Sequence, residues 1–313
     1  MLEHLNIVTN PAVRLTILGV AVCFMILEYF LSRLAHHDEE THDLAESAAS
    51  IGVALGQNIV RAIEAGIVAV PFIFAYDHRL FHFDPATPLA IGALFIATEF
   101  VYYWHHRAAH RIRWMWATHS VHHSPTRLNF TAAIRLGWTG NISGNFLFFA
   151  PLAWLGFHPF AILAMLSTNL LYQFFIHTEL ASRLGPLEWV LNTPAHHRVH
   201  HASNESCLDK NYGGVLIVFD RLFGTFTEAP KDEKIRYGLV GGTRTLNPIR
   251  IALNEWIAMA GDVGRADTAA AKLRMLFGPP GAEPPRAARV ADATHQTLST
   301  PTPTPQTQQE SLS

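Results

Sequence analysis

Histidines at helical spacings dominate the chemistry available to this 313-residue chain. Of nineteen histidines, six fall between His105 and His123 and five between His177 and His201. His106 and His110 are four residues apart, so both rings lie on one helical face, one turn from each other, and can reach one metal ion. His119, His122 and His123 form an HxxHH pattern that sets three imidazoles on one side of a helix, and His197, His200 and His201 repeat it. Together with the isolated His177 these residues offer more nitrogens than one tetrahedral or octahedral ion accepts. Two metal ions are expected.

Ligand type narrows the metal. The two cysteines, Cys23 and Cys207, are too few and too badly placed for a cysteine site or a disulfide framework. All-imidazole sets suit zinc, copper, iron or nickel. A structural zinc closes with four ligands and has no use for this many, whereas a paired site with open positions fits activation of water or dioxygen. Oxygen chemistry on an unactivated carbon needs a redox metal, which favours two iron ions over zinc. His177 stands alone at the end of an apolar run and is assigned as a ligand by that position. His196 points away from the face shared by His197, His200 and His201, so it supports a ligand rather than being one. Glu99, seven residues before His106 and on about the same face, can accept the second ring proton of a ligating histidine. His105 lies off the ligand face in an aromatic group and reads as interfacial. His36, His37, His42, His78, His82 and His295 carry no pattern and read as solvated.

The elements that position these residues are helices, several of them at home in a bilayer. Apolar residues make up 49% of the chain and charged residues only 15%, and the mean hydropathy is positive. That composition departs from a soluble domain of this size, and a net charge of −2 gives no reason to expect nucleic acid as a partner. Four apolar stretches or hairpins approach the length of a spanning helix: Leu15 to Leu31, Ile51 to Tyr76, Pro85 to Trp104, and the pair Asn141 to Leu155 with Pro159 to Ile176. The third ends in Tyr102-Tyr103-Trp104, an aromatic group of the kind found at a membrane surface. The pair reads as a hairpin, spanning or re-entrant. No cleavable signal peptide is expected at the N-terminus.

Arg107, Arg111, Arg113, Arg127 and Arg135 all lie between the third apolar run and the hairpin, which by the positive-inside rule makes that segment cytoplasmic. A hairpin returns the chain to the side it left, so the later histidines reach the same face. The expected organisation is all-α: N-terminal membrane helices over 1–104, a histidine-rich catalytic region over 105–230 that includes the hairpin 141–176, amphipathic helices over 231–278, and a disordered tail over 279–313. Within the third part, Asn247 to Met259 and Thr268 to Phe277 are apolar-periodic and suit helices on the membrane surface or capping the catalytic region.

Three stretches carry a family resemblance: Glu99 to His110, Trp116 to Ser124 and Asn192 to His201, followed by Asp209-Lys-Asn-Tyr-Gly-Gly and Asp220-Arg-Leu-Phe-Gly-Thr-Phe. In this order they resemble the fatty acid hydroxylase/sterol desaturase superfamily, and within it the alkylglycerol monooxygenase-like branch. One departure is Glu99, where the superfamily more often has aspartate; the carboxylate is kept. The resemblance implies a membrane anchor of about four helices, a cytoplasmic di-iron domain, and hydroxylation of a lipid by dioxygen. Monooxygenation consumes two electrons, so an external donor is implied: a ferredoxin, a b-type cytochrome or a pterin. Desaturation on the same di-iron site is the alternative, ahead of zinc-dependent hydrolysis. A membrane metal carrier would place histidines mid-span, whereas these flank the apolar runs.

Overall fold

Most of the helices begin where an acceptor side chain meets the first free backbone N–H groups, and three of these caps are followed at once by proline. Thr87-Pro88, His158-Pro159 and Asn247-Pro248 open helices in this way, each cap accepting from a backbone N–H in the first turn, while Asp43 and Thr268 cap two more without proline. Proline suits that position because its missing N–H would have no helical partner and its φ is already helical. The computed structural model describes residues 11–35, 41–181, 183–242 and 244–281. Among these the fold is all-helical, with no strand beyond two isolated bridges. The helices are α1 (Pro11–Leu34), α2 (Leu44–Asp77), α3 (Pro88–Arg111), α4 (Arg113–His123), α5 (Phe130–Ala133), α6 (Ala150–Leu155), α7 (Pro159–Ile176), α8 (Pro194–His201), α9 (Val218–Leu222), α10 (Pro248–Arg265) and α11 (Ala269–Phe277).

Two ends of the bundle are set by hydrogen bonds between elements. At the histidine end, the Glu46 carboxylate near the start of α2 accepts from the N–H and hydroxyl of Thr126, and the buried Arg135 donates to the Ser50 hydroxyl and the Glu46 carbonyl. At the far end, the N–H groups of Leu80 and Phe81 donate to Trp154 and Leu155. α3 and α7 both run from the far end toward the histidines and are joined midway where the Tyr102 hydroxyl donates to Gln173 at 2.9 Å. Phe72, Leu94, Phe149, Leu152, Phe157 and Ile162 pack into the apolar core between them.

Among the described residues two helices are long and apolar enough to cross a bilayer, Leu15–Leu34 and Pro159–Ile176, or three if α2 is counted. α2 bends by 52° between Leu44–Glu64 and Gly66–Asp77, where Gly66 and the interior Pro71 weaken the helical hydrogen bonding. The third apolar run of the sequence, now in α3, is not among them. The expected hairpin also differs: Asn145–Leu155 forms a 3₁₀ turn followed by α6, eleven residues or roughly 16 Å of helix against a hydrocarbon core of about 30 Å. Its first arm therefore does not span.

Several sequence expectations are corrected by burial. His42 is interior, 3.8 Å from the Glu28 carboxylate and edge-on to Tyr29, not solvated; His78 and His82 are exposed. Of the five arginines used for orientation, Arg135 is 1% and Arg113 6% exposed, so these two charges serve the interior. α10 packs against α4 and α2. Arg113 pairs there with Glu255 at 2.8 Å and Asp262 at 2.6 Å. His36, His37, His295 and nearly all of the expected disordered tail lie outside the described residues.

Candidate metal centre

Four helices bring nine histidines to one end of the bundle, and they sort into two groups. His106, His110, His119, His123 and His200 form one; His122, His177, His197 and His201 form the other; within each group the ligand-capable atoms lie within 4.8 Å of one another. All nine sequence candidates are placed, and α3 gives both of its candidate ligands, His106 and His110, to the same group. The two HxxHH helices instead divide theirs. In α4 the i and i+4 residues, His119 and His123, join the first group while His122 goes to the second. In α8 the arrangement is reversed: His197 and His201 join the second group and His200 the first. The cause is helical geometry, since i+4 lies about 40° from i and i+3 about 60° to its other side. A helix wedged between two groups must split HxxHH in this way.

Backbone carbonyls fix the ring orientations. His106 Nδ1 donates to Tyr212 O at 2.8 Å, His122 Nδ1 to Arg135 O at 3.3 Å, His177 Nδ1 to Gln173 O at 2.6 Å, and His200 Nδ1 to Lys210 O at 2.9 Å. A carbonyl only accepts, so in each ring the proton sits on Nδ1. Burial pushes the histidines of both groups well below their ordinary pKa, with His177 and His200 pushed down to about 4. They are therefore neutral, and the Nε2 atoms of these four carry bare lone pairs.

That tautomer assignment makes one contact incompatible with a hydrogen bond. His122 Nε2 and His177 Nε2 are 3.1 Å apart, and neither has a proton to share. Two lone pairs face each other at a separation that only a cation between or beside them makes favourable. Related Nε2 separations are 2.9 Å for His106 and His119, 3.2 Å for His119 and His123, 3.0 Å for His177 and His197, and 3.1 Å for His197 and His201. Two nitrogens at right angles around a metal at ~2.1 Å stand about 3.0 Å apart. His110 Nε2 and His200 Nε2 are buried without a hydrogen-bond partner, as atoms reserved for a metal would be. The donor set fits two ions of the imidazole-binding kind.

The residues around the groups act through the loop that follows α8. Glu99 does not hydrogen-bond a histidine, contrary to the expectation. One of its oxygens accepts from Asn169 and the other from the N–H groups of Val215 at 2.8 Å and Leu216 at 2.9 Å. Asp220, fully buried, accepts from Tyr212 N, Gly213 N and the Thr225 hydroxyl, each at 2.7 Å. Two interior carboxylates thus pin the segment whose Tyr212 carbonyl orients His106. Gly214 is required there, because a Cβ would stand 2.3 Å from Asn169 Nδ2. Asn211, at φ 55°, ties the same loop to the His196 and Thr227 carbonyls. His196 itself lies outside both groups with its ring edge-on to Phe226. His105 is not interfacial; it is wedged between Tyr102, Phe148 and Phe149. Sequence reasoning assigned no role to Tyr212, Asp220 or Asn211, although the Asn-Tyr-Gly-Gly and Asp220 stretches stood out as motifs.

Residues 91–225 match the fatty acid hydroxylase family. The chain is similar to an alkylglycerol monooxygenase of Xenopus tropicalis, 38% identical over 217 residues, covering 69% of this chain and 48% of the relative. It is similar to the human alkylglycerol monooxygenase, 41% identical over 209 residues, with 66% and 46% covered. A more distant likeness is to an ornithine lipid hydroxylase of Rhizobium tropici, 28% identical over 200 residues, with 63% and 59% covered. The chain thus spans about half the length of the alkylglycerol monooxygenases it matches. No solved structure matches it.

Proposed function

Because this chain belongs to the fatty acid hydroxylase superfamily, on the branch of the alkylglycerol monooxygenases, we propose that it is a membrane-bound, non-haem di-iron oxygenase that hydroxylates a lipid. The observation that carries the metal reading is the 3.1 Å approach of His122 Nε2 and His177 Nε2, two unprotonated atoms that need a cation. One ion is held by His106, His110, His119, His123 and His200, the other by His122, His177, His197 and His201. Iron bound there supplies the redox chemistry that activates dioxygen for insertion into a carbon–hydrogen bond.

The protein's own contribution is fixed geometry in a dry site. The carbonyls of Tyr212, Arg135, Gln173 and Lys210 hold the rings in one tautomer, and orientation by such outer partners raises ligand basicity. Burial keeps the imidazoles neutral and excludes water. The membrane helices bring the site to lipid, so candidate substrates are an ether lipid, a fatty acyl chain of a polar lipid, or a sterol-like ring. Two electrons come from an external donor: a ferredoxin, a b-type cytochrome or a pterin. The histidine end is assigned to the cytoplasmic face of a multi-pass protein.

The test is lipid mass spectrometry of membranes carrying the full chain, supplied with isotopic dioxygen and a reductant, alongside the His122→Ala variant. A labelled hydroxyl in a lipid, lost in the variant while membrane insertion persists, is expected. An unlabelled double bond would identify a desaturase instead. Product formation without oxygen, or an unaffected variant, would sink the oxygenase assignment.

A further inference from the structure

At the far end of the bundle, away from the histidines, α3 and α7 enclose a cavity of about 280 Å³. Its lining is mainly carbon: Ala90, Leu94, Phe157, Ala161, Ala164 and Met165 carry the argument. Alanines on both facing helices leave the space open; a larger side chain at any of them fills it. Two of the polar atoms nearby are engaged. Thr168 donates its hydroxyl to Ala164 O at 3.0 Å, and His158 Nδ1 accepts from Phe160 N at 3.3 Å. A mainly apolar space with few free hydrogen-bonding groups favours an apolar guest over water.

The same two helices lead from this cavity to the metal centre. Leu94 precedes His106 by twelve residues and Thr168 precedes His177 by nine, so the cavity lies roughly 14–18 Å below the ligands. The direct line between the helices is closed by Glu99, Asn169, Gln173 and Tyr102, which are buried and hydrogen-bonded to one another. The cavity face of α3 passes beside that seam, one turn at a time from Ala90 through Leu94 to Thr98 and two turns further to His105. Midway along this face Thr98 Oγ1, and at its histidine end both ring nitrogens of His105, are buried without partners. Apolar space at one end and unpartnered polar atoms at the other match the two ends of an amphiphile.

We propose that this cavity receives the far end of the hydrocarbon chain of the lipid substrate, and that Ala161 and Ala164 set the length of chain accepted. The inference rests on the lipid-oxidising reading above for its substrate, but its first test does not depend on turnover. An alkylglycerol with a photoreactive diazirine at the chain terminus is crosslinked to the full chain in membranes. Label within Pro159–Thr168 or Pro88–Leu94 is expected, and Ala164→Phe abolishes it; label confined to other segments overturns the proposal. The second test compares alkylglycerols that differ only in chain length. Ala161→Leu and Ala164→Phe shift the long-to-short ratio of kcat/KM down by roughly tenfold or more, and Met165→Ala shifts it up. Pocket label with an unchanged chain-length profile in both active variants identifies a bystander lipid and overturns the length-setting role. Pocket label with no lipid oxidation by the unmodified protein leaves the cavity assignment standing and counts against the proposed function instead.

Discussion

His123 and His201 stack face to face, ring centroids 4.4 Å apart at 20°, although each belongs to a different histidine group. The wall between the two proposed metal sites is therefore a pair of imidazoles, with His122 packed against both. Loss of either ring of this pair exposes one site to the other.

Metal content tests that wall. His177→Ala removes a ligand from the second group only and His110→Ala from the first only, so each variant is expected to fall toward one iron per chain by elemental analysis. His123→Ala or His201→Ala is expected to lower occupancy of both. A full complement of iron in His123→Ala would contradict the shared wall.

Chelation gives the complementary measurement. Removing metal leaves unprotonated Nε2 atoms of His122 and His177 facing each other at 3.1 Å. The stripped protein in detergent is expected to melt several degrees lower than the iron-loaded one, with recovery on adding iron, because binding to the folded state alone stabilises it. An unchanged Tm with metal removed would count against the site.

Asp220→Ala leaves three buried donors, Tyr212 N, Gly213 N and Thr225 Oγ1, without an acceptor. Each unsatisfied donor costs about 1–3 kcal/mol, so a loss of more than ~3 kcal/mol and little folded protein are expected. Glu99→Gln keeps the volume but turns an amide donor toward other donors. A loss of about 1–3 kcal/mol and weaker iron retention are expected, read by thermal melting and elemental analysis.

Gly137→Ala would place a Cβ 2.3 Å from the carbonyl oxygen of Thr118, inside the helix that carries His119, His122 and His123. The backbone must shift, at a cost of about 1–3 kcal/mol, and the histidines shift with it. Reduced iron content at normal membrane insertion is the expected result. Gly140→Ala, whose Cβ would meet Thr118 only at 3.8 Å, is the control.

Arg113 ties the histidine helix α4 to α10 through Glu255 and Asp262. Arg113→Met leaves the partly buried Glu255 without its cation and Asp262 with Arg265 alone. Loss of a buried partner costs up to about 3–5 kcal/mol; with the acids 23% and 18% exposed, solvent screening brings the expected loss to the lower end of that range or below it. A thermal melt of the solubilised variant checks it.

Much of the centre follows from local spacing, because the period of a helix is a property of the chain itself. His106 with His110, and each HxxHH turn, place their rings on helical faces before any tertiary contact forms, and nine rings imply more than one ion. Capping residues such as Asp43 and Thr87 likewise mark helix starts locally, and the apolar runs of α1 and α7 announce themselves by length. What spacing does not specify is which of two neighbouring sites each ring enters. His119 and His122 part company, and His200 crosses to the group of His106, only because α4 and α8 lie between the sites. The same holds for Glu99: its helical phase relative to His106 suggested a ring partner, but the loop at Val215 and Leu216, more than a hundred residues later in the chain, takes its oxygen first. Carbonyl acceptors carry no side-chain signature, so Tyr212, Lys210 and Arg135 orient the rings through atoms that every residue possesses. The sequence by itself determined the candidate ligands and their helices; the tertiary structure alone decided how they divide and what holds each ring in place, because both depend on distances between segments remote in the chain.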